Sequence, residues 1–163
     1  MIAAIATTRQ FARSRRYPFP PGQAFEFTIA APLPELFSHW YGPLPPVVSV
    51  DGPEEWGAAG LVRTVRTADG STMHEEMLDV ERPRQFSYRL SQLTGALRHL
   101  AASVDGAWHF EPVDGGTQIT WSWVVHPASG FAAVILPVVG RCWQGYARRA
   151  LDQLEQLMVA RQG

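Results

Sequence analysis

The stretch VDGAWHFEPVDGGTQITWSWVV, Val104 to Val125, reads as two alternating runs folded about one tight turn. Asp114-Gly115 supplies residues that tolerate positive φ, as a short hairpin connection requires. With Val113 to Gly116 as the loop, Phe110 faces Ile119, Trp108 faces Trp121, Gly106 faces Trp123 and Val104 faces Val125. Opposed residues of an antiparallel pair share a face. The other face then collects Asp105, His109, Glu111, Gln118, Thr120 and Ser122. One side is aromatic and apolar, the other polar. Three tryptophans and a phenylalanine are more bulk than a short hairpin needs to cover a helix. Such a face fits an ordinary core or, where curvature holds the covering element away, the wall of a cavity. Gly106 opposite Trp123 favours curvature or close approach, since glycines inside strands mark bends.

Upstream, strands are predicted at Val47–Val50, Leu61–Thr67, Thr72–Val80 and Gln85–Leu90, ahead of Ala102–Glu111 and Thr117–Val125. Asp69-Gly70 reads as a two-residue hairpin turn. That register puts Val62, Thr64, Arg66, Met73, Glu75 and Met77 on one face, and Leu61, Arg63, Val65, His74, Glu76 and Leu78 on the other. Arg63 then lies across from Glu76 as an exposed ion pair worth under ~1 kcal/mol. By elimination Glu75 points inward, flanked by Met73 and Met77. A carboxylate in an apolar pocket would have a raised pKa and could serve as an acid or a ligand anchor. Tyr88 is expected inward with Phe86 and Leu90.

A final helix is predicted from Phe131 to Met158, its apolar face marked by Val139, Trp143, Tyr146, Ala147, Ala150, Leu151, Leu154 and Met158. Pro137 should kink it. Before the sheet come an arginine-rich edge strand, Arg9 to Tyr17, and two short helices, Gln23–Ile29 and Pro34–Trp40. No linker divides the chain, so residues 1–163 are expected to form a single domain, with 1–8 as an extension.

Composition removes several chemistries. All 14 basic residues are arginine, so neither a Schiff-base lysine nor the lysine of a phosphate-binding loop is available. A net charge of −1 gives no overall reason to expect a nucleic-acid partner. The most apolar run, Phe131 to Val139, is half the length of a membrane span, so no stable membrane insertion is expected. Met1 to Ala6 lacks the basic lead-in of a secretion signal, and the lone Cys142 can close no internal disulfide, both of which fit a cytoplasmic chain. The five histidines show no metal spacing, no G-x-S-x-G elbow occurs, and no cofactor is expected.

The order strand, two short helices, six antiparallel strands and a long final helix resembles the START-like superfamily, in particular its polyketide cyclase/dehydrase-like branch. The resemblance runs from Arg9 to Met158. It is carried by Pro20-Pro21-Gly22 with Phe25, by Trp40, by Trp56-Gly57, and by Asp69-Gly70 leading to Glu75-Glu76. Pro83 with Phe86 and Tyr88, Trp108 with Phe110 and Pro112, and Trp121 with Trp123 extend it. It implies an α+β helix-grip fold, a curved sheet of about seven strands on a long C-terminal helix. It also implies a cavity between sheet and helix for a hydrophobic small molecule, lipid- or polyketide-like. On that reading Trp108, Phe110, Trp121 and Trp123 form the wall, and Arg66, Glu75, Met77 and Tyr88 complete the ligand-binding set. Two other readings stay open: an enzyme of the cyclase/dehydrase type, and a partner-binding module of the chaperone-activator kind. Self-association as a homodimer also stays open.

Overall fold

The computed structural model describes residues 7–162; the run 1–6, on which the secretion-signal reading rests, lies outside the described residues. In chain order the elements are β1 (Arg9–Tyr17), α1 (Pro21–Ala30), α2 (Leu33–Leu36), β2 (Val47–Asp51), β3 (Val62–Thr67), β4 (Thr72–Glu81), β5 (Gln85–Ser91), β6 (Ala101–Val113), β7 (Gly116–Pro127) and α3 (Gly130–Gln162). A 3-10 turn at Gly95–His99 joins β5 to β6. The seven strands make one antiparallel sheet in the order β1-β7-β6-β5-β4-β3-β2. This is the expected α+β helix-grip architecture.

Turn chemistry sets the register at two places. Between β6 and β7, Gly115 takes a φ of +81° and the strands pair Phe110 with Ile119, Trp108 with Trp121, Gly106 with Trp123 and Val104 with Val125. Those are the pairs read from the sequence. Between β3 and β4 the expected two-residue turn is replaced by a three-residue loop, Ala68 to Gly70. The Thr67 N–H donates to the Ser71 carbonyl (3.0 Å), and Gly70 closes the loop at φ +85°. Asp69 holds it from inside, accepting from the Ser71 N–H (3.0 Å) and the Thr67 hydroxyl (2.6 Å).

One extra loop residue slips β3 by one position, and a one-residue slip exchanges its faces. Arg63 therefore pairs with Glu75, not Glu76, and Arg66 pairs with Thr72. Arg66, expected among the inward residues, points outward, with its side chain 51% exposed and ion-paired to Asp51 at 3.0 Å. Arg63 takes the interior place. Glu75 keeps the inward position expected for it, because the slip exchanges the faces of β3 and leaves Met73, Glu75 and Met77 of β4 buried.

The long helix buries Leu136, Trp143, Ala147, Ala150, Leu151, Leu154 and Met158. It spans Gly130–Gln162, helical on both sides of Pro137. It docks at the β1 end of the sheet. Phe11 of β1 packs on Trp143, with ring centroids 5.7 Å apart, and Gly140 gives its ring room. The buried Tyr17 hydroxyl donates to the Leu151 carbonyl at 2.6 Å. Arg15 reaches Glu155 (2.6 Å) and Asp152 (3.3 Å). The acidic residues of α3 thus explain Arg15 on the same parity of β1 as Phe11 and Tyr17. Helix α2 is shorter than expected. Phe37 leaves the helical region at φ −111°, ψ 66°, and its carbonyl accepts from Val47 instead (2.8 Å). The following loop packs on α3, where Tyr41 lies against Gly145 and the Tyr146 hydroxyl donates to Pro45 (2.9 Å). No described helix is long and apolar enough to cross a membrane.

A candidate ligand cavity

Because α3 rests mainly on the β1–β7 side, the inner surface of β3 to β6 is roofed by the short helices, the 3-10 turn and loops, with Val139 and Tyr146 of α3 at its margin. A cavity of about 180 Å³ lies there, more than ten times the ~15 Å³ that one water needs. Its sheet wall carries Val65, Met73, Phe86, Leu90 and the three tryptophans 108, 121 and 123. Leu97 and Leu100 close one end, while Phe37, Val139 and Tyr146 stand opposite the sheet.

The tryptophans form a packed group. Trp108 and Trp121 stack with centroids 5.4 Å apart and planes 15° apart, and Trp123 meets Trp121 edge-on at 5.6 Å. Beside them stands Tyr88. Both indole N–H groups donate to its hydroxyl oxygen, Trp121 at 2.8 Å and Trp123 at 3.1 Å. Gly106 makes this possible, because a Cβ there would collide with the Tyr88 ring and hydroxyl. Of the two readings of this glycine, curvature or close approach, the second applies: it leaves space for the tyrosine. Burial raises the Tyr88 phenol far above its ordinary value, the Glu75 charge adds to this, and the indole bonds and Arg63 oppose it. It stays a neutral hydroxyl.

Glu75 and Arg63 form the charged part of the wall. The Arg63 Nε–H donates to Glu75 Oε1, with the two side chains only 12% and 7% exposed. Trp56 covers the guanidinium face at 4.0 Å. Burial pushes the Glu75 carboxyl above its usual value, and the charge and hydrogen bond of Arg63 pull against it. A second polar group, Thr67, Asp69 and Ser71, borders the cavity at the β3–β4 loop.

The structure thus brings Glu75, Tyr88, Trp108, Trp121 and Trp123 to one cavity, and leaves three expected members away from it. Arg66 is outside. Phe110 and Met77 point inward but lie in solid core: Phe110 packs on Phe25, with centroids 5.0 Å apart, and Met77 is 1% exposed. The sequence reading missed Arg63, through the register slip. It missed Trp56 and the Leu97–Leu100 end because loops carry no period from which a facing direction can be read.

Comparison with known proteins places these features in a wider group. A family model described as polyketide cyclase / dehydrase and lipid transport matches residues 8–159. Among solved structures, Ara h 8.0201 superposes with a TM-score of 0.68 at 17% identity, covering 94% of this chain and 99% of its own. Norcoclaurine synthase from Thalictrum flavum, solved in complex with dopamine and hydroxybenzaldehyde, does so with a TM-score of 0.68 at 13% identity, covering 96% and 89%. Protein Ms6760 from Mycobacterium smegmatis gives 0.62 at 18% identity, covering 91% and 89%. At these identities the likeness is one of fold. Among curated protein sequences, none matches significantly.

Proposed function

Since this chain belongs to the polyketide cyclase / dehydrase and lipid transport family, we propose that it binds a hydrophobic or aromatic small molecule between sheet and C-terminal helix. The observation that carries the reading is the unfilled, mainly apolar cavity walled by Trp108, Trp121 and Trp123. Stacking and burial against wide rings favour a flat, largely apolar ligand. The void also counts against a module whose interior is filled and whose outer surface alone matters. Titration with polyaromatic and lipid probes tests the proposal. Saturable quenching of tryptophan emission is expected, weakened when Leu97→Trp narrows the cavity. No response across such a panel would sink it.

One observation favours a second reading, the cyclase/dehydrase-type enzyme. Glu75, its carboxyl pushed up by burial against the pull of Arg63, stands on the cavity wall with Tyr88, and a carboxyl beside a bound molecule is placed to act as general acid or base. Under that reading Glu75→Gln and Tyr88→Phe each lower turnover of an identified substrate by ~10²-fold or more. Full turnover in both variants would remove it.

A further inference from the structure

Resting on the cavity reading, we infer that the ligand carries a carbonyl-type oxygen, received by the Tyr88 hydroxyl, and that this contact separates it from hydrocarbons of the same shape. A phenol offers one O–H donor and two acceptor lone pairs. At Tyr88 the Trp121 and Trp123 N–H groups occupy both lone pairs, at 2.8 and 3.1 Å. Among the described residues the hydroxyl takes part in these two bonds as acceptor and in none as donor. The oxygen can therefore accept nothing more, and its hydrogen is the one polar capacity left to offer. Tyr88 is 6% exposed and lines the cavity, so the group that completes the set must come from the cavity's contents. A hydrocarbon would leave a buried donor unmet, while a ketone or quinone oxygen satisfies it without disturbing the two indole bonds.

The arrangement is over-determined in a way that ordinary core packing does not need. Gly106 leaves the space that the Tyr88 ring fills, and Trp121 and Trp123 hold the oxygen from two directions. The pair of tryptophans act as positioning residues, fixing which way the hydroxyl hydrogen turns.

Calorimetric titration with fluorene, 9-fluorenone and 2-hydroxyfluorene, three probes on one skeleton, tests this. Wild-type protein should prefer fluorenone over fluorene by on the order of ten-fold, and Tyr88→Phe should bring that ratio to about one. Trp123→Phe is an independent arm. It returns a lone pair to the Tyr88 oxygen, so 2-hydroxyfluorene, whose phenol can now donate there, should gain against fluorenone. Equal wild-type affinity for fluorene and fluorenone overturns the inference while leaving the cavity reading standing. So does a fluorenone preference that survives Tyr88→Phe, or a probe order unmoved by Trp123→Phe. Binding of none of the three overturns the cavity reading and takes this inference with it.

Discussion

Gly106 is the position where one added methyl group has furthest to propagate, since a Cβ there meets the Tyr88 ring that two tryptophans hold in place. Gly106→Ala is expected to cost about 1–3 kcal/mol and to lower the thermal midpoint by about 2–4 °C for each of those kcal/mol. A midpoint that does not move would mean the ring has somewhere else to go. Glu75 is the other residue with a measurable signature. Its folded-state pKa is raised above the ordinary 4.5, so the folded protein holds that proton more tightly than the unfolded chain does. Its contribution to stability is complete below the ordinary value and is lost as pH rises through the raised one. Denaturant titrations across that window should show stability falling with pH in the wild type and a shallower fall in Glu75→Gln. Identical slopes would contradict the shift. Arg63→Leu strands the carboxylate and is expected to cost about 3–5 kcal/mol, with the double replacement Arg63→Leu, Glu75→Leu recovering part of the loss.

Among the elements, two hairpins show what could and could not be read in advance. The β6–β7 pair was legible because its faces differ sharply: Trp108, Phe110, Ile119, Trp121 and Trp123 against Asp105, Glu111, Gln118 and Ser122 leaves one phase that buries the rings. The β3 strand, Val62-Arg63-Thr64-Val65-Arg66-Thr67, repeats every three residues, so each face receives one valine, one threonine and one arginine. No hydrophobic difference then chooses between phases. The choice fell to the turn, and Ala68-Asp69-Gly70 satisfies both a two-residue Asp-Gly connection and a three-residue loop ending in a left-handed glycine. What decides between them is the Asp69 carboxylate reaching Ser71 and Thr67, an interaction without a sequence period. Gly70→Ala, at φ +85°, is expected to cost about 1–2 kcal/mol. Asp69→Ala should also destabilise the hairpin, read as faster amide exchange at Thr67 and Ser71.

At the scale of the molecule, the order of elements and the apolar stripe of α3 were open to sequence reading, whereas the placement of the cavity was not. Which strands the helix covers depends on contacts more than a hundred residues apart, such as Tyr17 with Leu151 and Tyr41 with Gly145. Single-chain periodicity records which face of a helix is buried but not against which strand. Tyr17→Phe removes the hydroxyl bond that ties helix to edge strand and should cost about 0.5–1.5 kcal/mol. A ligand at a hundred times its Kd should restore more than this, about 2.7 kcal/mol, so the variant's thermal midpoint with ligand should exceed that of the ligand-free wild type.

The near-parallel stack of Trp108 on Trp121, with centroids 5.4 Å apart, has an optical consequence. Two indole chromophores that close and that fixed share their excited states, and in a chiral frame shared excitation splits into bands of opposite sign. The folded protein should therefore show an exciton couplet in circular dichroism that Trp108→Phe abolishes. Any molecule that wedges the rings apart changes its amplitude. The cavity wall thus carries its own gauge, readable without a label.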